Sequence, residues 1–243
     1  RRKSWTIIIM AHFNKQAYDA CDNKAKTAVR AYLDSKGIAR PNTPWLSPEF
    51  SNPLFLKTAS EALFAKGKTE FPKGLTGISE VMALYLDALS WRAGNEIGNI
   101  GAIAKSLKQC VSLIASNMVK NESDYVALDS ATTIADESFQ HRDPPLGKTW
   151  LDVLTDLSLF RRDPPPYTKD IDPFNPPAER IRFAFQRFQD HLMAKALTDK
   201  LSSTQVSSVF ELDGALSFLF YECDSKYNIR YEYAGLANSL STI

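Results

Sequence analysis

The sequence predicts a mainly α-helical chain in two units divided near Gly94. Three observations carry that reading. Apolar residues recur at helical spacing over most of the chain. Proline-rich stretches at 39–50, 141–147 and 161–180 separate the helical blocks. One alternating run, Ile181, Phe183 and Phe185, interrupts the pattern late in the chain and reads as a strand. The expected domains are 1–94 and 95–205, with 206–243 as the start of a following helical region.

Taken in order, "RRKSWTIIIMAHF" is basic and then apolar. No small-residue cleavage pattern follows it before Asn14, so it reads as a buried strand rather than a signal peptide. "SNPLFLKTASEALFAKG" is a helix with Ser51 as N-cap and Gly67 as its stop. Pro53 falls in the first turn, where a missing N–H costs nothing. "ISEVMALYLDALSWRAG" is a second helix ending at Gly94. Ile97, Ile100, Ile103, Leu107, Cys110 or Val111, Ile114 and Met118 then form one continuous core-facing stripe.

"YVALDSATTIADES" gives a short extended piece and a helix capped by Asp129 or Ser130. "TWLDVLTDLSLFRRD" turns Trp150, Leu151, Val153, Leu154 and Leu157 inward. After the strand, Phe188, Leu192 and Ala196 return to helical spacing. Helices followed by a strand and a proline-rich excursion suggest a winged-helix arrangement with a small β wing, the stretch 161–180 being a partly ordered wing. The aromatic segment from Val206, with Phe210, Phe218, Tyr227 and Tyr231, reads as the edge of a helical array.

The composition, 44% apolar and 23% charged over 243 residues, allows one or two ordinary globular cores. A net charge of +1 excludes strong whole-molecule attraction to nucleic acid or anionic lipid. Cys21, Cys110 and Cys223 are odd in number and far apart, which argues for a reducing compartment and a cytoplasmic location. No run is long enough to span a membrane. The chain begins without Met and stops at "GLANSLSTI", in a helical pattern, so it is expected to be a fragment of a larger protein.

Chemistry-bearing patterns are few. "KGKTEF" and "LGKTW" raise the question of a phosphate-binding loop, which needs a glycine five positions before the Gly of Gly-Lys-Thr. Those positions hold Ala62 and Arg142. His12, His141 and His191 have no partner at metal-ligand spacing, and no G-x-S-x-G elbow occurs. Arg180, Arg182 and Arg187 are flanked by Glu179 and Asp190, which reads as a solvated or interdomain face rather than a nucleic-acid surface. No catalytic or metal-binding residue is expected.

Two segments carry a resemblance. "LSPEFSNPLFLKTASEAL", followed by "FPKGL" at Phe71 to Leu75, resembles the segment after the nucleotide-binding core of STAND-class NTPases with NACHT-like modules, most of all the large bacterial antiviral members. "IRFAFQRFQDHLMAKAL" resembles the F-x-H-x-x-F-Q-[DE]-x-x-x-A pattern of the winged-helix unit in such proteins; Phe183, Phe188, Gln189, Asp190 and Ala194 match it. By order, the likeness spans most of the chain from Asp22 to Leu201. It implies a helical lid domain followed by a winged-helix domain, together a non-catalytic regulatory part that clamps over ADP or ATP.

The resemblance implies that the nucleotide, with Mg, is bound by an upstream P-loop domain, and that this fragment itself holds no cofactor. Its partners would be that domain and a downstream sensor region of the same chain. A viral protein is the implied trigger, and a homo-oligomer the active state. The resemblance puts Pro53, with Asn52 and Leu54, on the adenine side. Where the family pattern has a phosphate-reading His, this chain has Phe185, leaving Arg182, Gln186 or Arg187 as substitute donors. The rival expectations are a winged-helix nucleic-acid-binding protein and a helical interaction scaffold without ligand.

Overall fold

The computed structural model describes residues 30–31, 33–39, 53–71, 78–165, 178–201, 214, 216–223 and 226–240. The fold is mainly helical with a small antiparallel sheet and a separate hairpin, in line with the periodicity. Among the described residues, no helix is long and apolar enough to cross a membrane. The chain divides into two compact units, Arg1–Ala88 and Leu89–Ile243. The division falls inside a helix, short of the expected Gly94, and residues 206–243 belong to the second unit. The expected N-terminal strand and most of the expected wing lie outside the described residues.

In the first unit, α1 (Pro53–Ala65) begins at its proline, as expected. Leu56, Ala59 and Leu63 give it one buried face. It stops at Gly67, whose φ of 65° suits a residue without Cβ. The Gly67 amide donates to Phe64 O and that of Lys68 to Leu63 O, so the last carbonyls are satisfied by a Schellman ending. The first Gly-Lys-Thr is therefore a helix terminator, whereas a phosphate loop must lead into a helix. A further helix, α2 (Ile78–Ile97), buries Val81, Tyr85 and Ala88 along its part in this unit.

In the second unit, α2 runs past Gly94 to Ile97, and then the chain turns at Gly98 (φ 88°) and Asn99 (φ 54°). Two left-handed residues in succession cannot continue a right-handed helix. Asn99 restarts it: its Oδ1 accepts from the Ala102 amide at 3.2 Å, capping α3 (Ile100–Lys120). The expected continuous stripe is thus broken. Ile103, Leu107, Cys110, Val111, Ile114 and Met118 are buried, whereas Ile100, at 39%, is exposed. Gly94 is not a terminus. A Cβ there would meet Ile100, including its Cα at 2.9 Å.

Strand β1 (Val126–Ala127) leads straight into α4 (Leu128–Ser138), whose N-cap is Ala127, without a side-chain bond. The expected cap at Asp129 or Ser130 is therefore not used; Asp129 sits in the first turn, favourable to the helix dipole. Helix α5 (Trp150–Asp156) follows a capping box. Thr149 Oγ1 accepts from the Asp152 amide, and Asp152 Oδ2 accepts from the Thr149 amide at 2.8 Å. Trp150 stacks on Phe139 at 4.1 Å, and its Nε1 donates to Arg142 O at 3.0 Å. Lys148 of the second Gly-Lys-Thr donates to Asp156 at 2.6 Å.

Strands β2 (Phe160–Asp163) and β3 (Arg180–Phe183) complete an antiparallel sheet in the order β1–β3–β2. Phe160 and Phe183 are opposed across β2 and β3, ring centres 5.1 Å apart, and both are buried. Helix α6 (Gln186–Leu201) packs on α3. The later segment differs from the expected helical opening. A hairpin, β4 (Phe220–Cys223) with β5 (Lys226–Ile229), precedes α7 (Ala234–Leu240), which lies on α6. The two strands contain Phe220, Tyr221, Tyr227 and Ile229, aromatic and β-branched residues that suit a pleated surface.

Candidate functional site

The densest polar cluster forms where the α3–β1 turn, β3 and the start of α6 meet. Arg182 points from β3 into it with only a fifth of its side chain exposed. Its Nη2 is 2.8 Å from Asp124 Oδ2, its Nη1 donates to Asp163 Oδ2 at 3.1 Å, and its Nε donates to Asp124 O at 3.3 Å. All three guanidinium nitrogens are therefore engaged inside the chain. A phosphate at Arg182 would compete with two carboxylates for its charge. Arg180 lies over the Tyr125 ring at 4.4 Å.

Gln189, fully buried, ties the same elements together. Its Nε2 donates to Asp124 O at 2.8 Å, and its Oε1 accepts from the Phe183 amide at 3.3 Å. The Phe-Gln-Asp stretch therefore has a physical role here: it staples the start of α6 to β3 and to the α3–β1 turn. The phenol of Tyr233 adds a bond from the far end of the chain, donating to Glu122 O at 2.6 Å.

The neighbouring Asp190 is 5% exposed and accepts from Gln186 Nε2 at 3.0 Å. It lies against Gly235 of α7, where an added Cβ would come within 2.8 Å of its Cγ. Burial raises the Asp190 carboxyl above the ordinary range; the Gln186 bond opposes this, the Asp124 charge adds to it, and the Arg187 charge opposes it. Such a group stabilises the fold while protonated. Its contribution fades as pH climbs from the ordinary Asp value through the raised one. Asp152 runs the other way: bonds from Thr149 and the nearby Arg162 hold it low, so its contribution is lost as pH falls.

Asp190→Asn keeps the shape and an acceptor for Gln186. Relative to the native chain it is expected to gain stability as pH rises from about 4 to 7. Urea unfolding at a series of pH values checks this; a difference between the two proteins that does not change with pH contradicts it.

Of the residues expected at a nucleotide, Arg182, Phe185, Gln186 and Arg187 come together at the β3–α6 junction. Arg182 is the internal clamp, Phe185 packs edge-on against Phe188 at 5.3 Å, and Gln186 serves Asp190. Arg187 is exposed. Pro53 opens α1, Leu54 follows it in that helix, and Asn52 lies outside the described residues. Asp124, Asp163 and Gly235 were not legible as cluster members, because nothing local marks their distant partners. Cys110 has no chemistry to offer: burial pushes its thiol up to about 12. Compared with family models, curated proteins and solved structures, the chain matches none.

Proposed function

We propose that this chain is the regulatory, non-catalytic portion of a bacterial STAND-class NTPase, a helical lid unit followed by a winged-helix unit. The observation that carries the reading is the order of elements in the second unit. A helix, a strand, two helices and two strands, with the last strand central in the sheet, supports a winged-helix reading. In the sequence the proline-rich stretch falls between β2 and β3, where this reading expects a wing. The Phe-Gln-Asp stretch that carries the resemblance lies in the joint that holds this arrangement together.

On this reading the clamp over ADP or ATP is completed by a P-loop domain of the parent cytoplasmic protein, and release of the clamp permits homo-oligomerisation after a viral trigger. The domain arrangement is a bistable element biased by nucleotide state. Because Arg182 is already held by Asp124 and Asp163, any phosphate-sensing duty falls to Arg187 or Gln186.

The electrostatics of α5 favour this reading over nucleic-acid binding. In a winged helix that helix enters the groove, and here its exposed side carries Asp152 and Asp156, each already paired with a cation. A face whose charges are balanced in this way offers phosphates no net attraction.

The test uses the parent protein. Purified with Pro53→Ala, it is expected to retain less ADP through gel filtration than the unaltered parent, with release faster by about tenfold, the equivalent of one lost apolar contact face. Equal retention, or a parent reading frame without a strand–GxxxxGK[ST]–helix unit, contradicts the proposal.

A further inference from the structure

The first unit contains a cleft of about 400 Å³ between the end of α1 and α2. That volume lies within the range of small-molecule sites, and the lining has their character, an apolar floor with a few convergent polar groups. The floor is Leu63, Phe71 and Leu84 with Ala62 and Ala88. Four charges stand around it. Lys66 donates to Asp87, which makes one ion pair at the mouth. Lys68 and Glu70 are both exposed, and neither is ion-paired among the described residues.

Two charges without an ion-pair partner among the described residues thus share one rim. After Gly67 ends α1 the chain runs on to Phe71 outside any helix, with a bend at Glu70, and Lys68 and Glu70 both line the cleft. The segment is held by backbone bonds on both sides: Lys68 donates to Leu63 O, and Thr69 O accepts from the Ala39 amide. The Lys-Gly-Lys-Thr-Glu stretch thus has a use that the phosphate-loop pattern does not describe. It sets an ammonium and a carboxylate over an apolar floor, on a fixed backbone.

We propose that this cleft binds a small zwitterion with an apolar body, the chemistry of a free apolar α-amino acid. A ligand carboxylate pairs with Lys68, its ammonium with Glu70, and its side chain covers Leu63, Phe71 and Leu84. Two charges of each sign give no preference for a simple anion or cation, whereas a ligand carrying both signs satisfies Lys68 and Glu70 at once. This site goes beyond the nucleotide-regulated reading and stands or falls separately from it.

The experiment is an amide NMR titration of the whole 243-residue chain with L-phenylalanine, alongside phenethylamine and 3-phenylpropionate, which each lack one charge. Saturable shifts are expected at amides of 62–71 and 84–88, with each single-charge analogue weaker by about tenfold. Lys68→Glu, at an exposed position, is expected to weaken phenylalanine to the level of the analogues, and Leu84→Trp to abolish binding by filling the floor. The proposal is overturned by an absence of saturable shifts at millimolar ligand. Analogues that bind as well as phenylalanine, or affinity unchanged in Lys68→Glu, overturn it too.

Discussion

Gly94→Ala is expected to lower the unfolding free energy by about 2 kcal/mol, although alanine is the better helix former. Two effects oppose each other. Replacing glycine within a helix gains up to about 1 kcal/mol from the restricted unfolded chain and better propensity. Against it stands the contact with Ile100, where the added Cβ would meet both the side chain and Cα, the latter at 2.9 Å. A side chain can rotate away, but a Cα moves only with its helix. Overpacking of that kind costs roughly 1–3 kcal/mol, and a backbone contact belongs at the upper end. Urea unfolding measures the outcome, with Gly101→Ala as control. Gly101 has nothing nearer than Asn99 Oδ1 at 4.0 Å, so its substitution is expected to be neutral or slightly stabilising. Equal gains at the two positions would mean that α2 and α3 slide apart freely.

Arg182→Ala is expected to cost about 3 kcal/mol. The loss comes less from the attraction removed than from what remains. Asp124 and Asp163 keep charges that are about three-quarters shielded from solvent, and Asp124 O loses one of its donors. Removing one partner of a shielded ion pair is costly, whereas removing both is much less so. Arg182→Met combined with Asp163→Asn is therefore expected to recover part of the loss. A double-mutant cycle gives the coupling between the two positions directly. If Arg182→Ala unfolds at the native urea midpoint, the cluster contributes nothing to stability and Arg182 is held for another purpose.

What the sequence revealed and what it hid divide along the range of the interactions. The buried stripe from Ile103 to Met118, the inward face of α5 and the alternation in β3 all repeat within one element, where a period of 3.6 or 2 suffices. Gly67 was readable as a stop because a helix end has local chemistry. The Gly98–Asn99 break was not, because Ile97 and Ile100 preserve the helical spacing across it and only the backbone changes hand. The hairpin before α7 was hidden among aromatic residues that fit either periodicity. The polar cluster was hidden for a different reason. Arg182 and Asp124 are 58 positions apart, and a charge carries no address for its partner. Gln189 was visible as part of a pattern, but its task depends on a strand amide and a turn carbonyl.

The strand order has a consequence in time. β3 is central in the sheet yet last of the three in the chain, and it supplies Arg182 as well. Until Arg180–Phe183 has emerged and docked, β1 and β2 have no strand to pair with, Asp124 lacks the guanidinium it pairs with, and Asp163 has only Arg161 beside it on β2. Sheet closure, ion pairing and the seating of α6 therefore depend on the same late event. The helices from α3 to α5 form through nearby contacts and wait for it. A long loop must close before any sheet bond is gained, which makes this step the slow one and couples the two ends of the unit into a single cooperative transition.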